Sequence, residues 1–251
     1  MKKLGLIGKN ISYSFSQQYF TTKFKNQNLD SQISYQNFDI ATINDFKTIL
    51  KNNPTLLGLN VTIPYKESII PFLDELSDNA QKIGAVNTIL IHKNGKLFGD
   101  NTDFFGFTAS IKPLLKNHHQ KALILGTGGA SKAVCFGLES LGITTQLVSR
   151  NSSENTISYT DLTETHFKDY QIIINCTPLG TSPNTDLFPN IPYQYFTPNH
   201  LAFDLIYNPE KTVFLQKAES YGAVIKNGYE MLVLQAEKAW AIWNGNSIKG
   251  S

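Results

Sequence analysis

Residues 121–141, KALILGTGGASKAVCFGLESL, contain a short apolar run, a glycine-rich turn and an amphipathic stretch in direct succession. Residues 122–125 are apolar throughout, which is typical of a strand buried on both faces of a parallel sheet. Between Ser131 and Leu141 the apolar side chains recur at the spacing of one helical face. The order strand, turn, helix predicts a βα unit, and therefore a chain of the α/β class.

Short apolar runs alternate with amphipathic stretches on both sides of this unit, which predicts two consecutive α/β blocks that meet near residues 103–120. The predicted strands are residues 4–8, 33–40, 57–63, 86–91, 97–99, 122–125, 145–149, 172–175 and 201–206. The predicted helices are residues 16–28, 131–141 and 230–243, with further helical segments after the strands at 33–40 and 57–63. Asn94-Gly95 predicts a hairpin turn because both residues tolerate positive φ. Residues 183–199 hold four of the ten prolines and predict an irregular loop.

The composition excludes several classes of protein. With 251 residues, 41% hydrophobic and 17% charged residues and a net charge of +2, the chain is typical of an ordinary globular protein without a nucleic-acid or lipid surface. Cys135 and Cys176 lie in apolar segments and predict buried free thiols, and the five histidines show no metal-ligand spacing. The apolar run after Met1 is too short for a signal sequence, so we expect a cytoplasmic protein.

The turn Gly126-Thr127-Gly128-Gly129-Ala130-Ser131 has the features of a dinucleotide site. Glycines permit a tight turn and close approach of the backbone, so that amide N–H groups and the helix N-terminus can hold a pyrophosphate. Small residues replace the usual third glycine, but the turn falls in register between a predicted strand and a predicted helix. The alternative is a tight glycine turn that binds no ligand.

The end of the next predicted strand distinguishes between cofactors. An NAD site usually places a carboxylate there for the ribose hydroxyls, whereas this chain has Ser149-Arg150-Asn151-Ser152 and no acidic residue before Glu154. Arg150 is the only arginine of the chain, and a guanidinium with short polar neighbours suits a 2′-phosphate. The pattern therefore favours NADP, with a surface salt bridge of Arg150 as the alternative.

In the first block, Lys66 lies just past a predicted strand, where the sequence predicts that a helix begins. Ligands of doubly wound sheets bind at the carboxyl ends of strands, and a helix N-terminus disfavours an ammonium and so favours proton transfer from it. Taken alone, Lys66 fits an exposed surface lysine better. Asp103, Ser14 and Ser16 have a similar alternative, since each can be the N-cap of a helix.

Eight segments, in this order along the chain, resemble the motifs of shikimate dehydrogenases. They are residues 14–16 (SFS), 60–66 (NVTIPYK), 85–88 (AVNT), 99–103 (GDNTD), 126–131 (GTGGAS), 175–180 (NCTPLG), 204–207 (DLIY) and 228–236 (GYEMLVLQA). The resemblance implies a substrate-binding α/β domain of residues 1–102 and 228–251 and a Rossmann-type NADP-binding domain of residues 103–227. It also implies a monomer or homodimer that acts on a small molecule and needs no metal.

The resemblance also implies roles for single residues. Lys66 and Asp103 would be the catalytic pair, in which Lys66 exchanges a proton with the reacting oxygen. The substrate carboxylate would be held by Ser14 and Ser16 with help from Tyr207, and the ring hydroxyls by Thr62, Asn87, Asp103 and Gln235. The residues that would bind NADP are Gly126, Gly128, Gly129, Ala130, Ser149, Arg150, Asn151, Thr177 and Gly228.

The sequence departs from the family pattern in places. Tyr13, Gln17 and Phe104 replace the usual histidine, proline and glycine, and Glu154 lies where a second phosphate-binding arginine often occurs. Glu154 weakens the expected preference for NADP more than it affects the expected reaction.

Two other functions fit parts of the sequence. Tyr19 and Lys23 form a Tyr-x-x-x-Lys pair, which folate-type and short-chain dehydrogenases use, and the spacing puts both side chains on one helix face. The second is a protein on the same scaffold that binds NADP or shikimate without catalysis. Lys66 and Asp103 argue against the second function.

Overall fold

The computed structural model describes residues 1–11 and 14–245, which fold into two compact units. The first unit contains residues 1–102 and the residues from Ala236 onward, and the second runs from Asp103 to Gln235. Strands and helices alternate in both, and most strand pairs are parallel, so the predicted α/β class is confirmed. Tyr13 lies outside the described residues. No helix in the described ranges is long and apolar enough to cross a membrane.

The first unit is built on a six-stranded sheet in the order β2-β1-β3-β5-β6-β4. Its strands are β1 (Lys2–Gly8), β2 (Ile33–Asp39), β3 (Leu56–Val61), β4 (Glu75–Leu76), β5 (Thr88–Ile91) and β6 (Leu97–Asp100). Its first three helices are α1 (Phe15–Asn26), α2 (Phe46–Asn52) and α3 (Asp78–Ile83). Because β1 is parallel to both β2 and β3, the carboxyl ends of these three strands lie at one edge of the sheet.

The second unit is built on a six-stranded, wholly parallel sheet in the order β12-β11-β10-β7-β8-β9. Its strands are β7 (Lys121–Leu125), β8 (Thr144–Ser149), β9 (Thr156–Ser158), β10 (Ile172–Asn175), β11 (Leu201–Asp204) and β12 (Val224–Lys226). The helices are α4 (Asp103–Ile111), α5 (Gly129–Ser140), α6 (Glu164–Asp169), α7 (Val213–Ser220) and α8 (Tyr229–Trp243), the last of which continues into the first unit from Ala236. The central strands β7, β10 and β11 are buried on both faces, as their continuous apolar runs require.

An aromatic cluster in the first unit holds the end of α8 against the sheet. Trp243 packs on Phe20 and Tyr35 at centroid separations of 5.5 and 6.4 Å, and its indole Nε1 donates to the Ile89 carbonyl at 2.9 Å. Gly58 makes this approach possible, because a Cβ there would lie 2.2 Å from the indole nitrogen. The bond satisfies the buried indole N–H, which a large aromatic side chain needs when it is buried.

The predicted hairpin forms, since β5 and β6 are antiparallel, but its turn differs from the prediction. Only Gly95 has a positive φ, of 83°. Asn94 instead uses its side chain, whose Oδ1 accepts from the Lys96 amide at 3.1 Å. Asn94 is therefore suited to this turn through its hydrogen bond rather than through left-handed backbone.

The prediction that a helix begins at Lys66 is wrong. Residues 66–69 form turns, and only a single 3-10 turn, Ile70–Phe72, follows them. Pro71 explains the difference, because proline has no N–H to donate to the carbonyl four residues earlier and its ring collides with that carbonyl in a continuing α-helix. The helix-dipole argument for Lys66 therefore does not apply.

The buried hydroxyl of Thr108 leads to a prediction about stability. Its hydroxyl is buried and has no hydrogen-bond partner among the described residues, and it lies where α4 passes Gly137 of α5. Thr108→Val replaces this hydroxyl with a methyl group of similar size, so we expect the free energy of unfolding to rise by about 1 kcal/mol. Urea denaturation measures it, and a loss of stability would show that the hydroxyl is satisfied in solution. Thr212→Val is the matched control and should lose stability, because the Thr212 hydroxyl donates to Asp204 at 2.6 Å.

Candidate active site

In the first unit, most of the predicted substrate residues lie at one edge of the sheet. Ser14 and Ser16 belong to the connection from β1 into α1, and Thr62 and Lys66 follow β3. Asn87 precedes β5, which runs antiparallel to β3, so it lies at the same edge, and its carbonyl accepts from the Val61 amide at 2.8 Å. The fold therefore brings these five residues to one edge although they are spread over more than fifty positions of the chain.

Ser14 is the N-cap of α1. Its Oγ accepts from the Gln17 amide at 3.1 Å and donates to Asn37 Oδ1 at 2.8 Å. The Asn37 amide group donates in turn to the Gln17 side chain and to the Ile11 carbonyl, both at 2.9 Å. The cap interpretation is thus confirmed for Ser14, and it leaves a substrate role open, because a hydroxyl can cap a helix and turn its proton towards a carboxylate.

Ser16 contacts the phenol of Tyr35, which is buried and donates to Asn60 Oδ1 at 2.8 Å. Burial raises the pKa of Tyr35, and the hydrogen bond with Ser16 opposes that shift. Ser16 lies inside α1 and is not its cap, so the cap interpretation fails for Ser16. Because the phenol proton of Tyr35 goes to Asn60, the Ser16 hydroxyl is the donor in its contact with Tyr35.

Asn87 is buried, with 3% of its surface exposed, and its side chain is fixed by Thr102 and Thr88. Its Oδ1 accepts from the Thr102 amide at 2.7 Å and from the Thr88 hydroxyl at 3.0 Å, and its Nδ2 donates to Thr102 Oγ1 at 3.0 Å. A fixed amide of this kind suits the recognition of a hydroxyl group, since its orientation is set before a ligand binds.

Lys66 is half-buried, and its main chain is anchored on both sides. Its carbonyl accepts from the Val86 amide at 2.7 Å, and the buried Tyr65 beside it donates its phenol to the Ile40 carbonyl at 2.8 Å. These contacts are made by the Lys66 carbonyl and by Tyr65, so they do not depend on the Lys66 side chain.

In the second unit, the predicted cofactor residues follow the carboxyl ends of adjacent parallel strands. Leu125 of β7 pairs with Val148 of β8 and Asn175 of β10, and Asn175 pairs with Asp204 of β11. The segments that follow these strands are therefore neighbours at one edge. Ligands of open parallel sheets bind at such an edge.

The glycine turn has the geometry that a pyrophosphate needs. Gly126 has a φ of 109°, which favours glycine, and a Cβ there would lie 3.2 Å from Thr177. Gly128 is the N-cap of α5 and has open space in front of its Cα, where a Cβ would meet no atom within 4 Å. Since α5 begins at Gly129, the first amides of a twelve-residue helix point outward from this turn. The turn therefore fits a dinucleotide.

Arg150 is exposed at the end of β8, and it forms no salt bridge with any carboxylate in the described part of the chain. The surface ion pair considered for it is therefore not present. Burial raises the pKa of Tyr159 to about 12, and the Arg150 charge opposes that shift, so the guanidinium lies near this phenol. Glu154 lies in the exposed tight turn Ser153–Thr156, which the Thr156 amide closes on the Ser153 carbonyl at 3.2 Å. A guanidinium without a carboxylate partner at this edge fits a phosphate.

Thr177 and Gly228 lie in the segments that follow β10 and β12. Thr177 donates its amide and hydroxyl to Asn175 Oδ1 at 3.0 and 2.7 Å. Gly228 donates its amide to the Ile206 carbonyl at 3.1 Å, and a Cβ on Gly228 would lie only 2.1 Å from the Leu205 carbonyl oxygen. Tyr207 is the residue after Ile206 and is half-buried, and this burial raises the pKa of its phenol.

Asp103 and Gln235 are buried in the second unit, at 6% and 5% exposure. Asp103 is the first residue of α4, so the N-cap position belongs to Thr102 and the cap interpretation of Asp103 is wrong. The helix N-terminus stabilises a carboxylate in this first turn. The backbone of Gln235 packs close to Gly106, since a Cβ on Gly106 would lie 2.9 Å from the backbone nitrogen of Gln235.

Known proteins resemble this chain both in its first unit and over its whole length. Residues 6–89 match the model of the shikimate dehydrogenase substrate binding domain. The shikimate dehydrogenase (NADP(+)) of Clostridium botulinum strain Hall is 37% identical over 260 residues, covering 100% of this chain and 99% of the relative. The chain belongs to the shikimate dehydrogenase family.

Solved structures of the family agree with the fold. Shikimate dehydrogenase 1 from Peptoclostridium difficile is 38% identical, with a TM-score of 0.85 over 100% of this chain and 94% of that one. The shikimate 5-dehydrogenase from Thermus thermophilus, crystallised in complex with NADP(H) and shikimate, is 29% identical, with a TM-score of 0.85 over 98% of this chain and 94% of that one. The predicted resemblance to this family is therefore confirmed.

The Tyr-x-x-x-Lys pair makes a structural contact between two helices of this chain. Tyr19 and Lys23 lie on one face of α1 as predicted, and both bind the carboxylate of Glu237 in α8. The two Lys23–Glu237 contacts measure 2.7 and 2.8 Å. This ion pair links two helices of the first unit, which argues against a short-chain dehydrogenase site.

The cysteines lie beside the apolar core of the second unit, half-buried rather than fully buried. Burial raises the pKa of Cys135 to about 11 and that of Cys176 well above its ordinary value. Both thiols are free, and no cluster of metal-binding side chains occurs among the described residues.

Sequence reasoning missed the side chains that support these segments. Asn37, Tyr35 and Asn60 contact the two serines or their partners, and Asn175 and Asp204 support Thr177 and the Tyr207 segment. Asn60, Asn175 and Asp204 each begin one of the eight motif segments, and their place near the end of a buried strand was the available signal. Asn37 and Tyr35 carry no sequence pattern that marks them, because their partners come from distant segments.

Proposed function

We propose that the chain catalyses the reversible NADP-dependent reduction of 3-dehydroshikimate to shikimate, a step of aromatic amino-acid biosynthesis. The observation that carries the proposal is full-length similarity to shikimate dehydrogenases. Two sheet edges support it, one with five of the expected substrate residues and one with the expected cofactor segments. Residues 1–102 and 228–251 would form the substrate-binding domain, and residues 103–227 would form the NADP-binding domain. The protein would act in the cytoplasm as a monomer or homodimer, without a nucleic-acid partner.

The proposed substrate residues match the chemistry of a small polyhydroxylated acid. Ser14, Ser16 and Tyr207 would donate to the carboxylate. Thr62, Asn87, Asp103 and Gln235 would bind the ring hydroxyls, and short polar side chains of this kind orient a polyol without excess bulk. The two serine hydroxyls have neutral partners in the first unit, so no fixed charge in these contacts competes with the carboxylate.

Lys66 and Asp103 would carry the proton chemistry. NADPH, when bound at Gly126–Ala130, Ser149–Asn151, Thr177 and Gly228, supplies the hydride for the C3 carbonyl. Lys66 would give its proton to the developing alkoxide, and Asp103 would orient Lys66 and the neighbouring hydroxyl. In the direction of oxidation, Lys66 would be the base that takes the proton from the C3 hydroxyl.

The decisive test is the nicotinamide absorbance band, followed with purified protein, shikimate and either NADP or NAD. We expect reduction of NADP with shikimate. Quinate is tested in parallel as a second substrate. The Lys66→Ala protein, purified in the same way, is the control for contaminating host enzymes. Binding of both ligands without turnover would support a binding protein instead. Turnover of a folate or a simple alcohol, but not of shikimate, would contradict the proposal.

We expect Arg150 to set the preference for NADP over NAD. Its guanidinium would bind the 2′-phosphate of NADP with a charge-assisted contact worth about 1.5–3 kcal/mol, so Arg150→Ala should lower the affinity for NADP roughly 10- to 150-fold. The affinity for NAD should hardly change, and Arg150→Lys should restore only part of the loss, because an ammonium cannot form the forked contact. Values of kcat/KM for both cofactors measure the effect.

Lys121→Ala is the matched control for Arg150→Ala, since it removes one positive charge from the opposite end of the same sheet. Equal losses with NADP and NAD in Arg150→Ala would show that Arg150 supports the fold. A wild-type protein that prefers NAD would contradict the interpretation of this segment.

A further inference from the structure

Asp204 is a fully buried carboxylate to which the proposed mechanism gives no role. It is the last residue of β11 and has no exposed surface. Three groups donate to it: the Thr212 hydroxyl at 2.6 Å, the Ile206 amide at 3.0 Å and the Asn175 Nδ2 at 3.1 Å. A buried charge is retained only where such donors replace water, so its position is strongly determined.

The Asn175 amide takes its orientation from Asp204. Its Nδ2 faces the carboxylate, so its Oδ1 faces the opposite way and accepts from the amide and hydroxyl of Thr177. If the amide were flipped, its oxygen would face the carboxylate and its nitrogen would face two donors. Nδ2 also donates to the Leu179 carbonyl, at the longer distance of 3.4 Å. The negative charge of Asp204 is therefore the stronger of two acceptors that orient the segment containing Thr177.

The same carboxylate anchors the segment that follows β11. It holds the Ile206 amide, and the carbonyl of Ile206 accepts from the Gly228 amide. Gly228 also lies in close contact with the Leu205 backbone, where no Cβ fits. These hydrogen bonds thus connect one buried charge to the segments that contain Thr177, Tyr207 and Gly228.

We propose that Asp204 is a positioning residue of the dehydrogenase, which holds the segments of Thr177 and Gly228 in the arrangement that binds NADP. The inference rests on the proposed function, since that function assigns Thr177 and Gly228 to the cofactor. Asp204 itself acts through Asn175 and Ile206 and does not touch the ligand.

Ionisation of Asp204 connects this arrangement to pH. Burial raises the pKa of Asp204 to about 6, against the opposing effect of its three hydrogen bonds. The titratable groups that face it are the Cys176 thiol and the Tyr193 phenol, whose pKa values its charge helps to raise. Both are neutral near pH 6, so the carboxyl itself would be the group of this cluster that titrates there. Once protonated, it holds the Asn175 amide more weakly.

The test compares Asp204→Asn with Thr212→Val. Asp204→Asn keeps the shape but removes the charge that orients Asn175, so the Kd for NADP, measured by calorimetry, should rise about tenfold. Thr212→Val removes one donor to the carboxylate and the N-cap bond of α7. It leaves Asn175 and Ile206 in place, so it should lower stability without changing the Kd.

The pH dependence gives a second readout that a purely structural role would not move. In the wild type, NADP binding should weaken as the pH falls through about 6. The decline should be clearly smaller in Asp204→Asn, where only protonation of the 2′-phosphate of NADP, whose second pKa is also about 6, contributes to it. An unchanged Kd in Asp204→Asn, or the same decline in both proteins, would overturn the inference. Because binding is measured without turnover, failure of the shikimate assay would refute the proposed function and leave this result intact.

Discussion

Lys66→Ala is expected to lower kcat about 10²-fold or more, which is the usual contribution of a positioned acid or base. The protein should still fold, because the contact of Lys66 with Val86 is made by its carbonyl and survives the substitution. NADP binding should hardly change, since the glycine turn belongs to the other unit. Steady-state kinetics in both directions, with a direct measurement of NADP binding, give the result.

Two further variants sharpen this experiment. Lys66→Arg keeps the positive charge but gives up no proton near neutral pH, so it should be nearly as inactive as the alanine variant. Lys82→Ala removes a lysine from the last turn of α3 and should retain wild-type kcat. A Lys66→Ala protein with nearly full turnover would refute the assignment of Lys66.

The double variant Ser14→Ala/Ser16→Ala is expected to raise KM for shikimate about 10²-fold or more. Each serine would donate one charge-assisted hydrogen bond to the carboxylate, worth about 1.5–3 kcal/mol, and the two losses need not be additive. Because Ser14 caps α1, stability should fall by only about 1 kcal/mol. KM for shikimate and for NADP should be measured alongside a thermal melt, and the KM for NADP should stay constant.

Ser14→Asp separates the two roles of this serine. Aspartate caps helices as well as serine does, but its carboxylate cannot donate to Asn37 Oδ1 as the Ser14 hydroxyl does, so stability should fall by about 1 kcal/mol. Its negative charge would face the substrate carboxylate, so KM for shikimate should rise by far more than this loss of stability explains. If Ser14→Asp leaves KM unchanged, Ser14 serves only as the helix cap.

The sequence determined the α/β class, the βα unit at residues 121–141 and most strands of four residues or more, because a buried strand is a continuous apolar run. It failed for β4, β9 and β12, which are two or three residues long and carry no periodicity. It also predicted a helix at Lys66, where Pro71 lacks the N–H that a continuing α-helix needs.

The candidate site divides in the same way. Motifs identified Lys66, Asp103, the two serines, the glycine turn and Arg150, because each lies next to the end of a strand in the sequence. Only the tertiary structure placed Asn37 beside Ser14, Tyr35 beside Ser16 and Asn175 beside Asp204, since these contacts join segments that are 19 to 29 positions apart. Hydrogen bonds between distant side chains follow from strand order and register, and a single sequence contains neither.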